Sequence, residues 1–264
     1  MIVDWYSVCE KLTNSIWKTI KSIVGTKDAS TKIKRNSKKA KKIDILAEDI
    51  VIEFLKRENM NVTLLSEEIG EVYIGSAPEF TIILDPIDGT TNSIKALPFF
   101  STSIAIAKGD SIQDIFFGYV RNYLAEEIFY VNQDGAFYNN RKCKSSSCAS
   151  LGRALISLYS YSYVNYHLIR KILNKIRKMR LLGAVSIEMA YVGCNKLEGL
   201  VDLRGDLLIS DIAAGIFFLK KAGGIVSDVN GELIIGKLDL NRNFSLIATG
   251  NRVLHEKILK IIKS

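Results

Sequence analysis

The sequence predicts a layered α/β fold in two halves. Strand-like and helix-like segments alternate from Ala154 to the C-terminus, which indicates helices packed on a sheet. Strand-like runs at Phe100–Ala107, Ile115–Val120 and Glu127–Val131 are separated only by turn residues, which indicates an antiparallel sheet in the first half. The chain has 264 residues and 48% apolar content, enough for a large core. A small, Ser-rich stretch, Lys142 to Ser150, divides the halves. The expected organisation is one domain with an α+β subdomain over about 1–147 and an α/β subdomain over about 148–264.

The elements follow in order. Val8, Leu12, Ile16, Ile20 and Ile23 recur at helical spacing, so residues 2 to about 24 read as a helix that Gly25 stops. Residues 26–42 are polar and Lys-rich with no apolar period, and are expected to form a mobile loop. Ile43, Leu46, Ile50, Phe54 and Leu55 line one face of a second helix, with Asp44 and Glu48 four residues apart on a neighbouring face. Val62–Leu65 reads as a short strand ending in Ser66-Glu67-Glu68, and Tyr73–Pro78 as a hairpin or turn. After the antiparallel run come a strand at 154–158, a helix at about 164–179 and a short strand near 180–182. A helix at about 184–195 and a strand at 199–203 lead to a helix at 211–222. Strands at 224–228 and 246–249 precede a terminal helix.

Composition narrows the function. No apolar run reaches the length of a membrane span, and Met1–Trp5 does not read as a signal peptide, so a cytoplasmic protein is expected. Cys9, Cys143, Cys148 and Cys194 form no Cys-x-x-Cys pair and are expected to be reduced, mostly structural thiols. With only His167 and His255 present, the chemistry must rest on carboxylates, hydroxyls and Lys/Arg. The net charge is +8, with basic residues concentrated in Lys32–Lys42 and Arg170–Arg180. The second run alternates basic and apolar residues at helical spacing, the pattern of a solvated amphipathic face rather than a nucleic-acid patch. No nucleic-acid or membrane partner is expected.

The stretch with chemistry in it is Thr81-Ile82-Ile83-Leu84-Asp85-Pro86-Ile87-Asp88-Gly89-Thr90-Thr91-Asn92. An apolar strand ends in two carboxylates, which one turn can aim at a common point. Pro86 fixes the backbone and Gly89 permits a geometry closed to other residues. Thr90, Thr91 and Asn92 can cap a following helix whose start favours an anion. Hard oxygen ligands beside such a helix start suggest Mg²⁺ and phosphate, although an ordinary Asx-Pro turn reads equally well from Asp85 and Asp88 alone.

Asp-Pro-Ile-Asp-Gly-Thr-Thr-Asn resembles the signature of the inositol monophosphatase superfamily of Mg²⁺-dependent, lithium-sensitive phosphatases. Two further segments are similar to that family: Ser66-Glu67-Glu68, and Ser210-Asp211-Ile212-Ala213-Ala214-Gly215, where Ser replaces the usual Trp. The resemblance extends from about Ile43 to Gly224. It implies an αβαβα sandwich with metals where the halves meet, and a homodimer. It assigns metal ligation to Glu67, Asp85, Asp88, Asp211 and the carbonyl of Ile87. Glu68 would help position a water. Asp44 resembles the acid that pairs with Thr90 to activate the nucleophile, and Gly89, Thr90 and Thr91 would contact phosphate. Two or more Mg²⁺ ions are implied, with Mn²⁺ able to substitute and Li⁺ inhibitory.

Val201-Asp202-Leu203-Arg204-Gly205 is similar to the archaeal type, whose members often hydrolyse both fructose 1,6-bisphosphate and inositol phosphate. Arg204 could clamp a second phosphate bidentately, or be a surface residue at a strand end. Tyr159, Tyr161 and Tyr163 alternate and could line a sugar site or pack in the core. The expected activity is Mg²⁺-dependent hydrolysis of a phosphomonoester, most readily fructose 1,6-bisphosphate or inositol 1-phosphate. The rivals are a 3′-phosphoadenosine 5′-phosphate phosphatase of the same fold and a non-catalytic RNA-binding module.

Overall fold

Strand segments such as Thr81–Leu84 are apolar without alternation because both faces of their sheet are covered. The computed structural model describes residues 3–35, 38–159 and 166–264. Its first half contains α1 (Trp5–Ile20), β1 (Lys32–Arg35), β2 (Lys38–Lys41), α2 (Lys42–Arg57), β3 (Val62–Ser66), β4 (Gly70–Ile74), β5 (Phe80–Asp88) and α3 (Thr90–Ile94). It continues with β6 (Ser101–Ala107), β7 (Ile115–Asn122), β8 (Glu127–Asn132), β9 (Gly135–Tyr138) and β10 (Arg141–Lys142). The second half contains β11 (Leu155–Tyr159), α4 (Tyr166–Leu173), β12 (Lys178–Arg180), α5 (Val185–Gly193) and β13 (Gly199–Leu207). It ends with α6 (Ile209–Ala222), β14 (Ile225–Ser227), β15 (Phe244–Thr249) and α7 (Arg252–Lys263).

Two large sheets result. The first has eight strands in the order β10-β9-β8-β7-β6-β5-β3-β4, antiparallel except for β3 beside β5. The second has five, β12-β11-β13-β15-β14, with β11 parallel to both β12 and β13 and the remaining pairs antiparallel. Side chains alternate between cores on opposite faces of each sheet. Ile82 and Leu84 pack with α1 and α2, whereas Ile83 faces α5 and α6. Leu200 of β13 faces α5 and α6 from the other side, whereas Val201 and Leu203 pack with α4 and α7. The layers are therefore α1/α2, sheet, α5/α6, sheet, α4/α7, the five-layer sandwich expected. α5 and α6 serve both sheets, so the central core draws residues from both halves of the chain.

Four expectations change. Within the stretch expected to be a structureless loop, residues 32–35 and 38–41 pair as a two-stranded ribbon. Its apolar pairing is Ile33 opposite Ala40, too little among lysines to show as a period. β5 does not stop before Asp85 but runs to Asp88, with a register shift between those two residues. That irregularity takes Pro86, which has no N–H to donate, out of the ladder. Cys143 and Cys194 form a disulfide with Cα atoms 4.9 Å apart. Their separation of 51 residues gives no hint of this pairing; folding brings the end of α5 against the segment after β10. Cys9 and Cys148 are free thiols. The helix expected over 164–179 is shorter, and Tyr161 and Tyr163 lie outside the described residues.

Candidate active site

β3 and β5 are parallel neighbours, so both deliver their C-terminal residues to the same edge of the first sheet. Glu67 follows β3 and Asp85 lies in the last part of β5. Asp211 arrives from the first turn of α6. One carboxylate oxygen from each of these three lies within 4.8 Å of the others. Asp211 does not itself cap α6. Leu208 occupies that position, and Asp211 Oδ2 accepts its N–H at 2.8 Å. Asp85 Oδ1 accepts the Ile87 N–H at 3.0 Å, which fixes the carboxylate rotamer.

Asp88 stands beside this triad, but its carboxylate is held by the start of α5. Oδ2 accepts the Ser186 N–H at 2.7 Å and the Ser186 hydroxyl at 2.5 Å, and Oδ1 accepts the Val185 N–H at 3.2 Å. The second half of the chain thus orients an acid supplied by the first.

The next turn is built around Gly89, whose φ of +83° is left-handed. A Cβ there would sit 2.8 Å from the Phe99 carbonyl and 3.0 Å from that of Gly183, so only glycine fits. Gly89 occupies the cap of α3, a helix of five residues with no side-chain cap. Thr90 and Asn92 therefore do other work than capping. Asn92 donates to the carbonyls of Phe99 (2.6 Å) and Leu182 (2.7 Å), tying this turn to the 181–184 loop. The Thr90 hydroxyl lies 3.0 Å from Asp44 Oδ1 and 3.1 Å from the Ile87 carbonyl. Asp44 is buried on the first turn of α2.

These groups floor a cleft of about 870 Å³. Its walls include Glu68, Thr91, Tyr159, Leu182, Gly183 and Arg204, and Lys39 and Lys41 of the ribbon stand at its rim. The Tyr159 ring is buried, and its hydroxyl accepts the Gly183 N–H at 2.9 Å. The Arg204 guanidinium stacks 4.5 Å from the Tyr159 ring centre. Its fork is engaged by Asp202, with Nε at 3.1 and 3.0 Å from the two oxygens and Nη2 at 2.6 Å from Oδ2. Arg204 is thus a cleft wall residue on a strand, rather than a solvated strand end.

The electrostatics show what the cleft lacks. Burial raises the carboxyl of Glu67 to about 8, with Asp211, Glu68, Asp44 and Asp88 adding repulsion. Burial likewise raises Asp211 to about 7, with further repulsion from Asp88. Asp85 is pushed well above its ordinary range by burial and then by Glu67. Asp88 is raised by burial against the opposing pull of its Ser186 bonds. Arg204 offsets part of the repulsion at Asp88 and Asp211, but burial still raises both, and buried acids crowded in one pocket suit a hard divalent cation. The ligand set expected for Mg²⁺ is therefore physically coherent: Glu67, Asp85 and Asp211 in one cluster, with Asp88 and the Ile87 carbonyl adjoining.

A stability consequence follows. Carboxylates titrate near 4 in an unfolded chain, whereas Glu67 and Asp211 hold protons to about 8 and 7 in the folded one. Their contribution to stability is complete below the unfolded value and is lost as pH rises through the folded ones. Ligation requires the ionised forms, so Mg²⁺ restores what the high pH removes. Thermal melts are expected to show a larger Mg²⁺-induced rise in Tm at pH 8 than at pH 5. An equal or smaller rise at pH 8 would contradict this reading of the cluster.

Sequence reasoning passed over other groups here. Ser186 sits in a helix start with no motif of its own. Glu188 is fully buried, accepts from the Ser157 hydroxyl (2.6 Å) and the Leu182 N–H (2.7 Å), and is raised to about 7 by burial. It shapes the loop that faces Gly89. Glu48 was visible as a helix-face neighbour of Asp44, but its burial was not.

Known proteins resemble this chain over nearly its whole length. A profile described as the inositol monophosphatase family matches residues 4–264, a longer span than the motifs alone suggested. A fructose-1,6-bisphosphatase/inositol-1-monophosphatase of Methanothermobacter thermautotrophicus is 34% identical over 274 residues, covering 99% of this chain and 98% of that one. A bifunctional NADP phosphatase/NAD kinase of Methanococcus maripaludis is 30% identical, with 98% of this chain aligned to 49% of that protein. Among solved structures, a Pyrococcus horikoshii protein described as having similarities to inositol-1 monophosphatase superposes with a TM-score of 0.85 at 30% identity, covering 98% of each chain. The chain belongs to the inositol monophosphatase family of phosphatases.

Proposed function

We propose that the protein is a Mg²⁺-dependent phosphomonoesterase acting on small phosphorylated sugars, with fructose 1,6-bisphosphate and inositol 1-phosphate as its substrates. The observation that carries this is the convergence of Glu67, Asp85 and Asp211 beside the Thr90–Asp44 pair, at the floor of a cleft with Lys39 and Lys41 at its rim. Bound divalent cations supply charge to the phosphoryl oxygens and acidify a water. The remaining work falls to side chains. Thr90, hydrogen-bonded to Asp44, can take the proton of the attacking water as its own passes to Asp44 Oδ1. Glu68, on the cleft wall, orients that water. The backbone at Gly89–Thr91 receives the phosphate, and Tyr159 with Leu182 and Gly183 forms the sugar wall. Arg204 of the wall, with Lys39 and Lys41, offers positive charge for a second phosphate, and the cleft volume suits a sugar bisphosphate.

Mg²⁺ is the expected resident ion, with Mn²⁺ a substitute and Li⁺ an inhibitor, in a cytoplasmic homodimer. Among the described residues no helix is long and apolar enough to cross a membrane. The second reading keeps the chemistry and changes the substrate to a nucleotide monoester, and similarity to about half the length of a bifunctional NADP phosphatase/NAD kinase supports it. The RNA-binding reading has less support, because Lys39 and Lys41 line a cleft with an acidic floor.

Phosphate release separates these readings. Fructose 1,6-bisphosphate, inositol 1-phosphate, 3′-phosphoadenosine 5′-phosphate and NADP are compared with Mg²⁺ and with EDTA. Release from the first two that EDTA abolishes is the expected result. Release from the nucleotides alone would transfer the assignment to the second reading, and no cation-dependent release from any would overturn both.

A further inference from the structure

Glu48 is a buried acid that the chemistry above does not use. It lies one turn after Asp44 on α2 and is fully buried. Its Oε1 accepts from the Ser66 hydroxyl, and from the Ile69 N–H at 3.1 Å. Those two donors bracket Glu67 and Glu68, so a single carboxylate oxygen closes the turn that aims the metal-ligand acid. The other oxygen, Oε2, lies 3.3 Å from Arg35 Nη1, and Arg35 Nη2 lies 2.6 Å from Asp49 Oδ1. Arg35 ends β1, in the ribbon whose Lys39 and Lys41 stand at the cleft rim. Neither Glu48 nor Arg35 lines the cleft.

A buried carboxylate is expensive unless it is paired and hydrogen-bonded. Here the pairing joins three separate pieces of chain. α2 presents Asp44 to Thr90 and, four residues on, Glu48 to the Ser66–Ile69 turn. The ribbon contributes the countercharge. Burial raises the Glu48 carboxyl, while Ser66, Ile69 and Arg35 all favour its ionised form. Partners behind metal ligands set ligand orientation, and removing them weakens metal binding without touching the ion.

We propose that Glu48 is a positioning residue for the metal site, which holds the Ser66–Ile69 turn so that Glu67 faces Asp85 and Asp211, and that Arg35 makes this support depend on the β1–β2 ribbon. The inference rests on the metal reading of the triad. It makes Arg35, a residue outside the cleft, a determinant of cation affinity.

The test is calorimetric titration of the metal-free full chain with Mn²⁺, beside thermal melts in EDTA. Glu48→Ala is expected to weaken Mn²⁺ binding by about 10- to 100-fold, the range for partners behind ligands. Glu48→Gln keeps an acceptor for Ser66 and Ile69 but loses the charge for Arg35, and is expected to weaken binding by less. Arg35→Ala should match Glu48→Gln, and Arg35→Lys should recover part of the loss. A merely structural role would lower Tm in EDTA and leave the affinity of the folded protein unchanged. If Glu48→Ala does not fold, Glu48→Gln and Arg35→Ala still decide the matter. Wild-type affinity in both would overturn the inference while leaving the metal reading intact. No Mn²⁺ binding by the wild type would overturn the metal reading, and the inference with it.

Discussion

Asp85→Asn is expected to lower phosphate release by about 10³-fold, roughly 4 kcal/mol of transition-state stabilisation. The same substitution is expected to raise the Tm of the metal-free protein. Both effects have one cause. Asp85 is buried, and Glu67, Asp88 and Asp211 all repel its carboxylate. Such an arrangement is unfavourable in the empty fold and becomes favourable only with divalent charge in its midst. Asparagine keeps the size and an oxygen able to accept the Ile87 N–H. At alkaline pH, where the empty cluster is ionised, it removes one negative charge, so repulsion falls in the same variant in which ligation fails, and the melt is run there. The measurements are steady-state phosphate release with saturating Mg²⁺ and a melt in EDTA. Activity within tenfold of wild type would refute the cation-site reading, and an unchanged or lower Tm would refute the claim that the empty cluster is strained by its charge.

Asp44→Asn is expected to lower kcat by about 10²- to 10⁴-fold, the range for loss of a positioned base, with Mn²⁺ affinity left near wild type. Asp44 is not part of the carboxylate triad; its contact is the Thr90 hydroxyl. Thr90→Val should cause a loss of similar size, and the double variant should be little worse than either single one, because the two act as one unit. Thr90→Ser should retain most of the activity. Burial raises the Asp44 carboxyl to about 7, with repulsion from Glu68 opposing the help of Thr90. A base must be ionised to act, and cations in the neighbouring cluster stabilise the ionised form. The acid limb of the kcat profile is therefore expected below pH 7, and to disappear in Asp44→Asn. A profile that keeps its acid limb in that variant would assign the limb to another group.

The parts of this site that follow local rules were legible. Glu67 follows an apolar strand, Asp85 comes directly after the apolar run of β5, and Asp211 stands in the first turn of a helix of small residues. Each is a short-range arrangement that motif and periodicity report directly. Gly89 was readable for the same reason, since a left-handed residue in a tight turn leaves little alternative to glycine. The α/β character followed from the alternation of strand-like and helix-like segments, and the five-layer arrangement from the family resemblance.

What was hidden depends on contacts between distant parts of the chain. Ser186 meets Asp88 across 98 positions, and Glu48 meets Ser66 across 18. Nothing local marks either as different from an ordinary helix residue. The Cys143–Cys194 disulfide is invisible for the same reason. The β1–β2 ribbon was missed because its stability comes from hydrogen bonding and the Ile33–Ala40 contact, with Arg35 anchored on α2. Strand propensity is weak among lysines, so tertiary context decides. Thr90 and Asn92 illustrate a wrong local inference. Their residue types favour helix caps, but α3 is too short to need them and both side chains bond elsewhere.

The most direct test of the metal site is a crystal structure of the protein soaked with Mn²⁺, with anomalous differences locating the ion. The expected result is an anomalous peak bounded by Glu67, Asp85 and Asp211, with carboxylate oxygens at roughly 2.0–2.2 Å, the distances of small hard cations. A further peak in contact with Asp88 would show that the acid turns from Ser186 toward the ions when they bind. Mn²⁺ bound elsewhere, with the three carboxylates unligated, would contradict the assignment of this cleft as a cation-dependent phosphatase site.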